Sequence, residues 1–213
     1  LDERIAQVQQ YINQDVELLQ QLAEKIEVSR QKSIPVLEQK VLDILAKLGM
    51  PNARLQVQLQ RVSDWLPNGF NQIQFLFSAN KGMELGTIKK VASGGEMSRI
   101  MLAIKAVLSE YAHLPSIIFD EIDTGVSGDI AGKMAEIMAQ MSRNMQVFSI
   151  THLPQIAAKG KQHYKVFKAT TQENTVSGLK LLTPEERVLE IAEMLSGKQI
   201  TDSALIHAKP LLN

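Results

Sequence analysis

The chain has 213 residues and no net formal charge, because 23 lysine and arginine residues balance 23 aspartate and glutamate residues. It therefore lacks the global basic field that indicates nucleic-acid binding. The absence of cysteine excludes disulfides and cysteine-based metal sites. Hydrophobic residues make up 45% of the sequence, but no apolar run is long enough to span a bilayer and no signal-peptide pattern opens it. We therefore expect a cytoplasmic protein with no membrane partner.

Residues 1–33 carry apolar side chains spaced alternately three and four apart, with mostly Gln, Glu and Lys between them. This seam consists of Ile5, Val8, Ile12, Leu19, Leu22 and Ile26. A narrow seam is typical of a coiled coil, whereas a helix on a globular core usually has a wider apolar stripe. The pattern is already under way at Leu1, which predicts a fragment of a longer chain. Another segment or another chain is expected to cover the seam.

A second helical stripe follows Pro35 and ends at Gly49 and Pro51. Proline removes an N–H group and disfavours helix at the preceding residue, so Pro35 is expected to start or kink this helix. We predict two domains from these features. The first is a coiled-coil arm with a stalk helix at residues 1–48, and the second is a head at residues 49–213.

Two segments with alternating apolar and polar residues, 55–59 and 72–77, predict half-buried strands. The sequence Pro-Asn-Gly at 67–69 indicates a turn between them, and so a β-hairpin. Trp65, the single tryptophan, is expected to pack at that turn. Residues 79–92 predict a loop.

Residues 93–96 have the sequence Ser-Gly-Gly-Glu and precede a helical pattern. Ser93 and Glu96 have the spacing of a capping box. Capping does not explain Gly94 and Gly95, since a glycine costs a helix up to about 1 kcal/mol relative to alanine. Without side chains there, backbone N–H groups and the positive helix end can approach an anion. The segment predicts a phosphate site, with a plain helix cap as the alternative.

The apolar run at 117–119 predicts a parallel strand buried on both faces, and Asp120 and Glu121 follow it directly. Ligands of open α/β sheets bind at this end of the strands. Asp120 is suited to Mg²⁺, which prefers oxygen ligands and retains water. Glu121 leaves the opposite face of an extended segment and is suited to activating a water. Two solvated acids at a strand end are the alternative.

Gly125 and Gly128 predict a turn, followed by a helix with a methionine-rich core stripe and a strand at 147–150. A strand, helix and strand in succession favour a right-handed parallel crossover. If the two strands are neighbours, His152 lies beside Asp120 and Glu121. A lone histidine is usually structural, but in that setting a role in sensing a γ-phosphate is favoured.

The remainder predicts two strands, at 163–168 and 175–182, with a polar turn between them. Thr183 has the features of an N-cap, and Gly197 is expected to end the helix that it opens. A last helix is expected to start at Thr201. No residue pattern in this tail indicates chemistry.

Taken together, the order and spacing of these segments resemble an ABC-type ATPase. Residues 93–96 resemble its signature motif, and Asp120 with Glu121 resembles the Walker B pair. Asp123 falls in the D-loop, and His152 falls at the switch histidine.

The surrounding sequences at 91–99, 119–125 and 151–157 are similar to the RecN family of bacterial SMC-like DNA-repair ATPases. The resemblance covers residues 30–213. Ala92 stands where ABC proteins most often have leucine, and this departure fits RecN better than a transporter.

The resemblance implies an α/β fold: the C-terminal lobe of an ABC-type ATPase head, with a mainly parallel sheet, flanking helices and a β-hairpin, preceded by a helical coiled-coil arm. It implies ATP and Mg²⁺ as cofactors. Asp120 would hold Mg²⁺, Glu121 would polarise the attacking water and His152 would contact the γ-phosphate. The remaining nucleotide contacts implied, on the opposing head or across the dimer, are Ser93, Gly94, Gly95, Glu96 and Asp123.

No P-loop is present in the sequence. Residues 128–134 come closest, but they have three residues between the glycines and methionine in place of the hydroxyl residue. The family's Walker A and Q-loop precede the coiled coil, so this fragment alone is expected to be inactive. The implied partners are that N-terminal half, a second copy of the protein and DNA, in the cytoplasm at the nucleoid. A transporter nucleotide-binding subunit and a coiled-coil module with a degenerate head are the alternatives.

Overall fold

The computed structural model describes residues 1–126, 128–170, 175–197 and 199–212. The chain forms two compact units, one of Leu1–Ala46 with Met50–Ala92 and one of Lys47–Gly49 with Ser93–Asn213. The β-hairpin thus groups with the long N-terminal helix. The predicted boundary at residue 48, between a coiled-coil arm and a head, stays a prediction.

In the first unit, helix α1 runs without interruption over Asp2–Lys47. Pro35 lies inside it, so a second helix does not start there, and the alternative expectation of a kink at Pro35 stays a prediction. An internal proline costs a helix about 3 kcal/mol or more, and burial of Val41 and Leu45 on the same helix opposes that cost. Gly49 has φ +79° and follows the helix end, as the sequence predicted.

The apolar seam of α1 has no cover in the described part of the chain. Its six predicted members are between 39% and 60% exposed. The buried residues of α1 are Ala23, Glu27, Val41 and Leu45. Pairing of the seam into a coiled coil therefore stays a prediction.

The predicted hairpin is confirmed. Strand β1 (Arg54–Leu66) pairs antiparallel with β2 (Gly69–Ser78) through a two-residue connection, since Leu66 lies opposite Gly69. Trp65 packs edge-on against Phe70 near this turn, with ring centroids 5.9 Å apart. The segment predicted as a loop contains a two-residue strand, β3 (Gly86–Thr87), and a one-turn helix, α2 (Ile88–Val91). Elements this short leave no periodic pattern in a sequence.

A buried polar cluster joins α1 to the hairpin. Glu27 is 7% exposed, and Nε of Arg61 donates to both of its carboxylate oxygens, at 3.0 and 3.1 Å. Nδ2 of the buried Asn71 donates to the same carboxylate at 3.0 Å. The hydrogen bond from Arg61 is the main cause that lowers the pKa of Glu27, and burial opposes it. The carboxylate is thus ionised and satisfied, which makes its burial tolerable.

Glu27→Gln is expected to lower the stability of the protein near neutral pH. The folded-state pKa of Glu27 lies below its ordinary value of 4.5, so the carboxylate stabilises the fold above that pH. This contribution is lost as the pH falls through the lowered pKa. Urea midpoints measured from pH 7 to pH 2 should therefore show a gap between the two proteins that closes in acid. Glu17→Gln, at an exposed position of α1, is the control and should show no such gap.

The second unit contains the predicted parallel pair. Strand β4 (Ser116–Asp120) is followed by helix α4 (Gly128–Met141) and strand β5 (Gln146–Ile150), and β4 and β5 pair in parallel. Met134, Met138 and Met141 of α4 are buried, as the core stripe predicted. Helix α3 (Gly94–Ser109) precedes β4, and helix α5 (Pro154–Lys159) follows β5.

The prediction that β4 is buried on both faces is wrong. Phe119 is buried, but Ile118 is 65% exposed. Phe148 and Ile150 on β5 are exposed as well. One apolar face of the β4–β5 pair, which carries Ile118 and Phe148, is therefore exposed.

The tail follows its predicted order. Strands β6 (Tyr164–Thr170) and β7 (Thr175–Leu181) pair antiparallel, and the polar turn predicted between them lies at 171–174, outside the described residues. Helix α6 (Pro184–Ser196) has the predicted capping box, in which Thr183 N–H donates to Glu186 at 3.0 Å and Glu186 N–H donates to Thr183 at 3.2 Å. Gly197 ends it with φ +78°, and α7 (Asp202–Leu212) follows. Within the described ranges, no helix has the length and apolar character to cross a membrane.

Candidate functional site

The β4–β5 pair brings the predicted acids and the predicted histidine to one edge of the sheet. Asp120 is the last residue of β4 and lies opposite Ile150, the last residue of β5. The N–H of Glu121 extends the ladder by donating to the Ile150 carbonyl at 3.1 Å. His152 follows Ile150 by two residues. The two strands are therefore neighbours, which is the arrangement that the expected position of His152 near Asp120 and Glu121 requires.

The backbone turns sharply at Glu121. Its φ of +47° lies in the left-handed region, so the expectation of an extended segment through both acids is wrong at this residue. The N–H and hydroxyl of Thr124 both donate to the Glu121 carbonyl, at 3.1 and 2.9 Å, and hold the turn closed. Bulky residues rarely adopt such a φ, and strain of this kind is often found at functional sites.

We expect Glu121→Gly to unfold at a higher denaturant concentration than Glu121→Ala. Both changes remove the carboxylate, but only glycine adopts a left-handed backbone without a steric cost, which is about 1 kcal/mol or more for other residues. The same comparison at Lys133, inside α4, is the control. There alanine should be the more stable by about 1 kcal/mol, because glycine is the poorer helix former. Equal stability of the two Glu121 variants would contradict a strained turn.

Asp123 is fully buried directly after this turn. Its Oδ2 accepts a hydrogen bond from the Thr151 hydroxyl and lies 3.8 Å from Nδ1 of His152. Its Oδ1 is buried and has no hydrogen-bond partner. A buried carboxylate oxygen without a donor is unusual in a folded protein. The structure thus joins Asp123 to the histidine segment, whereas the His152 ring itself is 68% exposed.

The N-terminus of α3 has an open backbone. The Ser93 N–H donates to the Glu96 carboxylate at 2.8 Å, which is the predicted return bond of a capping box. A side chain at Gly94 would have no heavy atom of the protein within 4 Å. The positive end of a 16-residue helix is therefore approachable at Gly94, as a phosphate site requires.

Gly95 lies in close contact with the turn after Asp123. A Cβ at Gly95 would be 2.8 Å from the Gly125 carbonyl oxygen, a backbone atom that cannot swing aside. Gly125 has φ +75°, and its own Cβ position is 3.5 Å from the Gly95 backbone. The segment at 93–96 and the acid-bearing edge of the sheet are therefore neighbours within one unit.

Gly95→Ala is expected to destabilise the protein by roughly 1–3 kcal/mol, the usual cost of forcing an extra carbon into a packed site. Gly94→Ala is the matched control one residue earlier. Its methyl group would enter open space at a helix start, so stability should be unchanged or slightly raised. Chemical unfolding of the two variants beside the parent chain measures the difference. Similar stability of both variants would mean that the backbone at Gly125 shifts easily to accept a methyl group at Gly95.

The acids fit a magnesium ion that arrives with a nucleotide. Asp120 is exposed at the end of β4 and offers carboxylate oxygens. No group of three or more His, Cys, Asp or Glu side chains among the described residues is arranged to hold a metal alone. Mg²⁺ commonly takes one or two carboxylates and completes its shell with water and substrate phosphates. Asp120 meets that requirement.

Two contributors to the site lacked a specific signal in the sequence. Thr151 lies in the segment 151–157 that resembles RecN, and its position next to His152 is the one hint that the sequence offers of its role. Arg99 donates to the Gly95 carbonyl through Nε and to the Leu48 carbonyl through Nη1, each at 3.1 Å. Nothing in the spacing of Arg99 indicated that it would tie the start of α3 to the segment after α1.

Comparison with known proteins gives the family. The chain is 41% identical over 194 residues to DNA repair protein RecN of Deinococcus radiodurans. The match covers 91% of this chain and 34% of the relative, so the chain spans about a third of that protein's length. No protein-family model matches the chain.

Solved structures give the fold. The SMC head domain of Pyrococcus yayanosii, with its coiled coil and joint, matches with a TM-score of 0.67 at 17% identity, over 92% of this chain and 36% of that one. A structure described as concerning ATP-driven dimerisation and DNA-stimulated activation of SMC ATPases matches with a TM-score of 0.55 at 20% identity, over 82% of this chain and 99% of that one. The predicted fold class, the C-terminal lobe of such a head, is confirmed. By its sequence the chain belongs to the RecN family.

Proposed function

We propose that this chain provides the catalytic acids and the signature face of an ATPase head, and that ATP-driven engagement of two such heads acts on DNA ends during double-strand break repair. One observation carries the proposal. The parallel pairing of β4 with β5 brings Asp120, Glu121 and the His152 segment to a single sheet edge. The open end of α3 at Gly94 lies in the same unit.

The comparisons support the biological setting. The relative from Deinococcus radiodurans is named a DNA repair protein, and it shares 41% of its residues with this chain over the match. One structural neighbour is described in terms of ATP-driven dimerisation and DNA-stimulated activation. Both descriptions belong to those proteins, and we extend them to the protein that carries this chain.

A Mg²⁺ ion that accompanies ATP would supply charge neutralisation at the phosphates. Asp120 would hold it through its exposed carboxylate. Glu121 would accept a proton from, or polarise, the attacking water. His152 would donate a hydrogen bond to the γ-phosphate from its exposed ring.

The segment at 93–96 would close over a nucleotide held by a second head. Its free N–H groups and the positive end of α3 suit an anion, and Gly94 leaves them uncovered. The loop that carries Asp123 and Gly125 would communicate between the two heads. A second copy of the protein is therefore a required partner.

The main phosphate cradle would come from sequence outside this chain. The match covers 34% of the relative, which leaves room for a P-loop there. Without that cradle we expect this chain alone to bind ATP weakly and to hydrolyse essentially none. The exposed seam of α1 would pair with a second helix as a coiled-coil arm. The complete protein would act on DNA at the nucleoid.

Glu121→Gln in the full-length protein tests the assignment. Glutamine keeps the shape of the side chain but removes the charge that activates water. General-base catalysis contributes about 10²-fold to 10⁴-fold in rate, so single-turnover hydrolysis should fall by that order with nearly unchanged ATP affinity. ATP should also hold two heads together for longer, as measured by size-exclusion chromatography with Mg²⁺.

Glu136→Gln, at an exposed position of α4, is the charge-matched control and should hydrolyse ATP at the parent rate. Hydrolysis by Glu121→Gln at the parent rate would show that another residue is the base. Parallel loss of ATP binding would show instead that Glu121 mainly holds the nucleotide or its metal.

A further inference from the structure

The buried carboxylate of Asp123 is tied to the loop that carries His152. Its Oδ2 accepts the single hydrogen of the Thr151 hydroxyl. The same hydroxyl oxygen accepts the N–H of Leu153 at 3.0 Å. The bonds run from Leu153 through Thr151 to Asp123 and enclose the backbone of His152. The Thr151 hydroxyl thus links the residues on both sides of His152, and the Asp123 carboxylate holds that hydroxyl.

The His152 ring is less constrained than its backbone. Nδ1 lies 3.8 Å from Asp123 Oδ2, beyond hydrogen-bond distance, and the side chain is 68% exposed. Asp123 also has a spare acceptor, because its buried Oδ1 has no donor. A small rotation of the ring would let Nδ1–H donate to this carboxylate. Such a bond would fix the ring tautomer and direct Nε2 away from Asp123.

We propose that Asp123 and Thr151 are positioning residues that hold His152 in its working orientation within their own head. The inference rests on the proposed function for its catalytic consequence, although the contacts themselves are present without nucleotide. It assigns the Asp123 carboxylate a role inside one subunit. That carboxylate is fully buried in this chain, as a contact within one subunit requires.

The first test reads the histidine directly and needs no ATP hydrolysis. The full-length protein is labelled with ¹⁵N-histidine, and the His152 signals are identified by their loss in His152→Gln. We expect the nucleotide-free parent to favour the Nδ1–H tautomer, and Asp123→Asn to lose that bias.

Thr151 offers a matched pair of variants for the same measurement. Thr151→Val keeps the shape and removes the hydroxyl, so it should shift the His152 signals. Thr151→Ser keeps the hydroxyl and should leave them close to those of the parent. Circular dichroism confirms that each variant is folded.

The second test is a double-mutant cycle on ATP hydrolysis. Asp123→Asn should lower kcat by roughly 10-fold or more with little change in KM, because a displaced catalytic group commonly costs that much. In a His152→Ala background the same change should have no further effect. Full additivity of the two changes would show that Asp123 acts independently of the histidine.

The two tests separate this inference from the proposed function. Unchanged His152 signals in both Asp123→Asn and Thr151→Val would overturn positioning, whatever the hydrolysis rate. Shifted signals in a protein that hydrolyses no ATP would support positioning and refute the ATPase assignment.

Discussion

The candidate site depends on the parallel pairing of two five-residue strands. Because β4 and β5 run in the same direction and in register, the segments that leave them emerge at one edge. The bond from Glu121 N–H to the Ile150 carbonyl carries that pairing one residue past β4, so the register is fixed up to the point where the chain turns. A slip by one residue would reverse the faces of β5 and move His152 away from the acids.

Much of this arrangement could be predicted from the sequence, because it follows from local patterns. Apolar runs of strand length, capping residues at Thr183 and a turn at Pro67 are short-range signals, and each lies in the expected element. The order of acid, helix and histidine then predicted the parallel crossover. The residues that converge on the site were found in this way, because their position along the chain already determined which strand end they would occupy.

The features that the sequence did not predict depend on what lies next to a residue in space. The burial of Asp123, the left-handed backbone of Glu121 and the contact of Gly95 with Gly125 all require the folded arrangement. The prediction that Ile118 is buried is wrong for a different reason. An apolar run indicates that a strand is suited to burial, but it does not show whether a second layer is present to cover it.

Helix α1 continues through Pro35 without interruption, so a small change in its angle displaces its far end by a larger distance. At 1.5 Å per residue, 46 residues extend over about 69 Å, and the segment from Leu1 to Glu27 accounts for about 39 Å of that length. Ala23 and Glu27 are buried, so the last turn of this segment is where a tilt would pivot. A tilt of about 5° at the pivot would displace the tip by roughly 3 Å, about two helical residue rises. Small rearrangements of the hairpin would therefore be magnified at the far end of the helix.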